Sequence, residues 1–284
     1  APHSARALEG FEFASPVAAG GERYLIGARV DGFNRLLRST GWPPQIEELP
    51  LPDAATPLSS APGEFFPAGN GAYFAARESG RGREPWYADD TGAVRLGEVA
   101  FGHAGLDASF GDFGRAAIDS GLLFTYRGDA HFARRSGGIS KLIDDCPVEG
   151  ALARGSKAFF ECDDELAVTD GTLAGTLKLL RLASFGISYD GVGQLWGSGE
   201  LAFLGRADSG EMGVYLTNGT VAGTRRLPMV VTDPGALVTS ATKVFLVAGF
   251  ERRLLVSDGN VASPITELEL PNGRGLIKGF AHTR

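Results

Sequence analysis

The feature that most constrains the fold of this chain is a turn motif that recurs along its length. Its fullest copy runs from Glu165 to Thr176 and reads ELAVTDGTLAGT. Leu166 and Val168 alternate with small or polar residues, in the period of two that is typical of a β-strand. Asp170-Gly171 is then a hairpin signal, because glycine tolerates positive φ and an aspartate side chain accepts hydrogen bonds from backbone amides. The motif therefore predicts a strand, a turn and a second strand.

Five further copies of this motif follow or precede the first. GVYLTNGTVAGT begins at Gly213 with asparagine at the turn, and RLLVSDGN begins at Arg253, while weaker copies begin at Leu36, Trp86 and His131. The structural turn residues of the three clearest copies are Asp170, Gly171, Thr172, Asn218, Gly219, Thr220, Asp258 and Gly259. Six copies at intervals of about 33 to 51 residues, each with room for four strands, are typical of β-propeller blades.

We therefore predict an all-β fold, a single-domain β-propeller of four-stranded antiparallel blades. The repeat units are expected at 11–51, 63–99, 112–143, 149–182, 192–230 and 235–270. A further strand is expected within 276–284. This strand either closes a six-bladed ring, which we prefer, or begins a seventh blade of a chain that continues beyond Arg284. The 41 glycines, about twice the usual share, agree with many hairpin turns.

The repeat resembles that of bacterial propeller proteins whose blades carry ELWxSDGTxxGT, a family found largely among secreted or surface proteins. The match is good over 165–176 and 213–224, partial over 253–260 and faint elsewhere, and Ala167 and Tyr215 stand where the family usually has tryptophan. The turn is also similar to the Asp-box of sialidase-like propellers. The resemblance implies a fold and an extracytoplasmic location, in the periplasm, at the cell surface or secreted. It implies no catalytic residue, because the family has none in common.

Charge and hydropathy exclude two classes of partner. The net charge of −7 argues against nucleic acid, which requires a basic face. No apolar run approaches the roughly 18 residues that cross a bilayer, so we expect no membrane-spanning segment. The Ala-Pro-His-Ser start would suit a mature chain after removal of a signal peptide.

The two cysteines are predicted to form a disulfide. If Gly155-Ser156 is a hairpin turn, Glu149 lies opposite Cys162, and Cys146 is only three residues beyond that pairing. A Cys146–Cys162 bridge would fit an oxidising compartment. The alternative is two unrelated buried thiols.

Ligand-binding residues are expected on the face opposite the Asp-Gly turns. In a propeller, the hairpins between second and third strands share this face with the loops between blades, here 51–63, 101–112, 144–149, 184–191, 231–235 and 271–275. The residues on it that are candidates for binding a carboxylate, a sulfate or an anionic glycan are Arg29, Arg77, Arg127 and Arg206, with His103 as a further candidate. The alternative is that each arginine is solvated or held by the acid that follows it within two residues.

Other chemistry is sparse in the sequence. We expect no cofactor. The acidic residues Glu161, Asp163, Asp164 and Glu165 are a candidate calcium site, with a solvated hairpin tip as the preferred alternative. No Ser/His/Asp or Cys/His arrangement is evident. The pattern favours a non-enzymatic module that binds another protein, as a subunit of a larger assembly. The alternatives are a propeller enzyme acting on a carbohydrate or lactone, and a lectin-like binder of an anionic glycan.

Overall fold

A computed structural model describes the chain over residues 11–18, 24–30, 33–40, 45–49, 63–77, 82–99, 116–181, 184–186, 194–195, 200–207, 209–231, 234–240, 242–248 and 253–268. These residues form 25 strands joined by turns, without a helix among them. The chain divides into two compact units, which we call unit 1 (Ala1–Asp145) and unit 2 (Cys146–Arg284).

Unit 1 contains three four-stranded antiparallel sheets, in each of which the strands follow one another in chain order. Sheet 1 consists of β1 (Phe11–Ala18), β2 (Tyr24–Val30), β3 (Phe33–Thr40) and β4 (Gln45–Glu48). Sheet 2 consists of β5 (Gly63–Ala68), β6 (Gly71–Arg77), β7 (Arg83–Asp89) and β8 (Gly92–Arg95). Sheet 3 consists of β9 (Ala116–Ile118), β10 (Gly121–Tyr126), β11 (Asp129–Arg134) and β12 (Ile139–Ile143).

Unit 2 repeats the same arrangement. Sheet 4 consists of β13 (Val148–Arg154), β14 (Lys157–Cys162), β15 (Glu165–Thr169) and β16 (Leu177–Arg181). Sheet 5 consists of β17 (Ser184–Gly186), β18 (Gln194–Leu195), β19 (Leu201–Arg206), β20 (Met212–Thr217) and β21 (Arg225–Val231). Sheet 6 consists of β22 (Pro234–Thr239), β23 (Val244–Ala248), β24 (Arg253–Ser257) and β25 (Thr266–Leu268). β17 and β18 both pair with β19, so sheet 5 has one strand more than the others.

The predicted fold class is confirmed: the chain is all-β and is built from the four-stranded antiparallel meanders that make up propeller blades. The number of blades in a ring and the single-domain organisation remain predictions. The expected strand within 276–284 lies outside the described residues.

The core of each unit lies between consecutive sheets, because middle strands such as β6 and β14 are buried on both faces. Tyr73 packs with Leu122 and Phe124 of sheet 3, whereas its neighbour Phe74 packs with Leu25 and Leu36 of sheet 1. This is the alternation of side chains along a strand. Unit 2 repeats the pattern, with one cluster shared by sheets 4 and 5 and another shared by sheets 5 and 6.

Two local predictions are corrected. Val148, not Glu149, lies opposite Cys162, because a bulge between Val148 and Ala151 shifts the register by one residue. Residues Ser184–Gly186, expected as part of a loop at 184–191, form the short strand β17 instead.

Candidate functional site: turn tips and hairpin arginines

The turn at Asp170 is closed by its own side chains. The Asp170 carboxylate accepts hydrogen bonds from the Thr172 amide (2.9 Å) and from Thr172 Oγ1 (2.7 Å). Thr172 Oγ1 in turn accepts the Gly175 amide (2.9 Å). Thr169 Oγ1 accepts the Gly171 amide at 2.9 Å and lies 2.8 Å from Thr176 Oγ1, which joins the two ends of the turn. The turn is therefore held by hydrogen bonds between its own side chains and backbone amides.

The turn at Asn218 has the same hydrogen bonds. Asn218 Oδ1 accepts the Thr220 amide (3.0 Å) and Thr220 Oγ1 (2.7 Å), and Thr220 Oγ1 accepts the Gly223 amide (2.9 Å). Thr217 Oγ1 lies 2.7 Å from Thr224 Oγ1. Asparagine replaces aspartate here because only a side-chain oxygen that accepts two hydrogen bonds is required.

Two further copies of the motif, at Asp258 and Asp89, use part of this scheme. Asp258 accepts the Asn260 amide (2.9 Å) and Ser263 Oγ (2.9 Å). In unit 1, Asp89 accepts the Thr91 amide (2.8 Å) and Thr91 Oγ1 (2.6 Å). These interactions agree with the predicted structural role of the motif.

A basic side chain from the preceding sheet of the same unit contacts three of these turns. Lys157 Nζ donates to the Asn218 carbonyl at 2.9 Å, and Arg225 Nη2 donates to the Gly259 carbonyl at 3.4 Å. Arg225 is itself held by Glu200, at 2.6 and 3.2 Å. In unit 1, Arg38 Nη1 donates to the Asp90 carbonyl at 2.7 Å. The turns are therefore anchored to neighbouring sheets as well as closed internally.

The three turns of unit 2 present apolar side chains to solvent. Leu173, Val221 and Val261 stand three residues after the turn aspartate or asparagine, and they are 65%, 63% and 49% exposed. An exposed alanine follows each of them. We call Leu173, Val221 and Val261 the aliphatic tips. Sequence reasoning missed them, although the signal was present: both full copies of the motif place an aliphatic residue directly after the second threonine.

Three of the predicted arginines lie at hairpins between second and third strands, in three different sheets. Arg77 ends β6 and is exposed, and Arg206 ends β19 and donates to the Gly210 carbonyl at 3.0 Å. Arg127 occupies the hairpin between β10 and β11. Arg29 lies in β2, but its side chain lies outside the described part of the structure, as does all of His103.

Arg127 is not held by the acid that follows it. Asp129 instead accepts the Asp145 amide at 2.9 Å and lies 3.4 Å from Lys141 Nζ. These hydrogen bonds, the Asp145 amide first, keep the pKa of Asp129 below its usual value. The Arg127 guanidinium lies over the Tyr126 ring, 5.2 Å from its centre. The alternative of an arginine paired with its own neighbouring acid therefore does not describe this hairpin.

Beside the Arg127 hairpin, the ring of His131 packs against two aromatic side chains. The His131 ring lies 5.7 Å from the Phe124 ring and meets the Tyr126 ring edge-on at 5.8 Å. His131 Nδ1 is 3.2 Å from the Asp129 carbonyl. Burial lowers the pKa of His131, so the ring is neutral at pH 7 and acts as a packing surface.

Two of the acidic residues of the candidate calcium site lie next to basic side chains. Glu165 pairs with Lys178, and Asp164 lies 3.7 Å from Arg181. Glu161 is buried and Asp163 is exposed at positive φ. In the part of the chain that the structure describes, no three metal-ligating side chains are grouped together. Calcium and the expected lack of another cofactor remain predictions.

The predicted disulfide is present. Cys146 and Cys162 are joined, with Cα atoms 5.0 Å apart, and both residues are fully buried. The bridge connects the segment that enters β13 to the end of β14. Among the described residues, none belongs to a helix of the length and hydropathy needed to cross a membrane.

Comparisons with known proteins extend only to general architecture. No family model matches the sequence, and no curated protein sequence matches it. Hsv2 from Kluyveromyces lactis, with loop 6CD replaced by a Gly-Ser linker, is 12% identical with a TM-score of 0.42, over 93% of this chain and 83% of that one. A puromycin-hydrolysing peptidase from Mycobacterium tuberculosis is 14% identical with a TM-score of 0.44, over 93% of this chain and 46% of that one. A nidogen/laminin complex contains a chain that is 11% identical with a TM-score of 0.35, over 91% of both chains. Such similarity carries no information about activity, and the resemblance to the ELWxSDGTxxGT family remains a prediction.

Proposed function

We propose that this protein is a non-enzymatic interaction module that binds another protein through the aliphatic tips of unit 2. The observation that carries the proposal is the recurrence of a well-exposed Leu or Val at one position of three consecutive turns. Apolar side chains scattered singly over a surface need no explanation. The aliphatic tips are not scattered in this way, because they occupy the same exposed position in three repeats. Such a recurrence is expected of a contact surface built from repeats.

The rigidity of the turns supports this proposal. The hydrogen bonds of Asp170 and Asn218 fix the backbone that carries Leu173 and Val221. Lys157 adds a contact between sheets 4 and 5 at the second of these turns. A surface that is already ordered loses little conformational freedom on binding, so more of the apolar contact energy remains as affinity.

We place the protein outside the cytoplasm, in the periplasm, at the cell surface or secreted. The Cys146–Cys162 bridge supports this location, because disulfides persist in oxidising compartments. The proposed partner is a protein of the same compartment.

The test is native mass analysis of the protein isolated gently from its own source, with the intact chain mass read in the same experiment. The triple variant Leu173→Ser/Val221→Ser/Val261→Ser is compared with the wild type and with Leu268→Ser. Leu268 is a matched control because it is an exposed aliphatic residue of unit 2 (43%) on β25 rather than on a turn.

We expect a stoichiometric partner with the wild type and the control, and its loss in the triple variant. The partner's retention by the triple variant would remove the aliphatic tips from the interface. A wild-type chain without any partner would contradict the proposed function itself.

A further inference from the structure

The Arg127 hairpin combines an unfavourable backbone conformation with a guanidinium that has no ion pair in the part of the chain that the structure describes. Tyr126 pairs with Asp129, so Arg127 and Gly128 form a two-residue turn, with φ of 53° and 84°. Positive φ at both positions is the type I′ geometry, which favours asparagine or aspartate followed by glycine. The other non-glycine residues at positive φ in the described ranges are Asp145 and Asp163, both of a type that tolerates it. Arg127 is the exception.

A residue kept at a strained position points to a role for its side chain. Arg127 is exposed, and it makes no ion pair with any described residue. Its one observed partner is the face of the Tyr126 ring, which holds the guanidinium without occupying its N–H groups. The nearest acid in sequence, Asp129, accepts the Asp145 amide and contacts Lys141 instead of Arg127. The Tyr126 ring therefore orients the Arg127 guanidinium, and no acidic side chain within the described ranges occupies its N–H donors.

The geometry of the Arg127 hairpin indicates which kind of ligand it can bind. A single guanidinium presents a planar pair of donors that matches one carboxylate. The donor stands on the tip of a two-residue hairpin, whereas sites for small ligands and sugars are concave. A protruding Arg supported by Tyr is instead typical of the anchor residues of protein interfaces.

We infer that Arg127, supported by Tyr126, is a recognition site for an aspartate or glutamate carboxylate of a partner protein. This site belongs to unit 1. It does not depend on the aliphatic tips of unit 2.

The test uses an eight-residue peptide with an amidated C terminus that alternates glutamate with serine and so carries four carboxylates, titrated at low salt into the ¹⁵N-labelled protein. The shift of the Arg127 Nε–H resonance reports binding at this side chain. The comparison ligands are the same peptide with glutamine in place of glutamate, and tetragalacturonate, which also carries four carboxylates. The variants are Arg127→Gln and, as the matched control, Arg206→Gln at the equivalent hairpin of sheet 5, with binding followed through backbone amide shifts.

We expect saturable binding of the glutamate peptide that is at least fivefold weaker for Arg127→Gln and for the glutamine peptide, and unchanged for Arg206→Gln. Asparagine suits this turn better than arginine does, so the Arg127→Asn variant should fold at least as well as the wild type. If the folded Arg127→Asn variant does not bind the peptide, the loss comes from the missing guanidinium and not from misfolding. Equal affinity for the two peptides, or undiminished binding by Arg127→Asn, would overturn the inference. Tighter binding of tetragalacturonate would overturn the assignment to a protein carboxylate.

Discussion

Gly175 lies where any side chain would displace the carboxylate that closes the turn. A Cβ added at Gly175 would stand 2.2 Å from Cγ and from both carboxylate oxygens of Asp170. Gly175 is not among the residues at positive φ, so Gly175→Ala introduces this clash without backbone strain. We predict that Gly175→Ala destabilises the protein specifically by expelling the Asp170 side chain.

The magnitude follows from the bonds that would break. Relief of a 2.2 Å contact to ordinary separation requires a displacement of more than about 1 Å. Asp170 would then lose its hydrogen bonds from the Thr172 amide (2.9 Å) and Thr172 Oγ1 (2.7 Å). At about 1 kcal/mol each, their loss costs about 2 kcal/mol. Replacing glycine also restricts the unfolded chain, which offsets about 0.4–1 kcal/mol. The net decrease in the free energy of unfolding is therefore about 1–2 kcal/mol.

A double-mutant cycle in urea isolates this effect. In an Asp170→Ala background the new methyl group no longer meets the carboxylate, so Gly175→Ala should stabilise the protein by about 0.4–1 kcal/mol, which the restricted unfolded chain contributes. The coupling energy between the two substitutions should then be about 2 kcal/mol. Free energies that add within about 0.5 kcal/mol would refute the steric reasoning. Gly223→Ala with Asn218→Ala is the matched cycle, because a Cβ at Gly223 would stand 2.1 Å from Asn218 Oδ1.

Three further predictions concern stability. Arg127→Asn should raise the free energy of unfolding by about 0.5–1 kcal/mol in urea, because asparagine tolerates positive φ better than arginine does. Asp170→Asn should leave the free energy of unfolding nearly unchanged at pH 7, since Asn218 makes the same hydrogen bonds in its own turn. Hydrogen bonding by Thr172 lowers the pKa of Asp170, so the wild type should lose stability as the pH falls through that lowered pKa. The Asp170→Asn variant should lose less stability in acid. Replacing both Cys146 and Cys162 with serine should lower the free energy of unfolding by about 3 kcal/mol, as expected for a closed loop of roughly 15 residues.

Each of these stability predictions has a clear contrary result. An unchanged or lower midpoint for Arg127→Asn would show that the arginine itself stabilises the turn. An acid unfolding profile of Asp170→Asn identical to that of the wild type would remove Asp170 from the acid response. Equal midpoints for the double serine variant and the wild type would mean that the bridge adds nothing to stability.

Local interactions explain why the sequence by itself determined the class of fold. The period of two in Leu166 and Val168, and the turn chemistry of Asp170 and Asn218, act between residues that are neighbours in the chain. These features predicted an all-β chain of four-stranded antiparallel sheets. The Cys146–Cys162 pairing was also within reach, because one hairpin turn places both cysteines at the same end of sheet 4.

Only the tertiary structure decided which side chains remain free. The bulge at Val148 shifts the register, and β17 adds a strand to β19, through pairings that no local pattern specifies. Asp129 is bound by Lys141 of the adjacent strand rather than by Arg127, which leaves the arginine over Tyr126. Leu173 and Val221 follow strands whose own aliphatic residues are buried, yet they remain exposed because the closed turns carry them beyond the sheet. A sequence pattern fixes what near neighbours in the chain can do, whereas strand register and ion-pair partners depend on how separate strands pair.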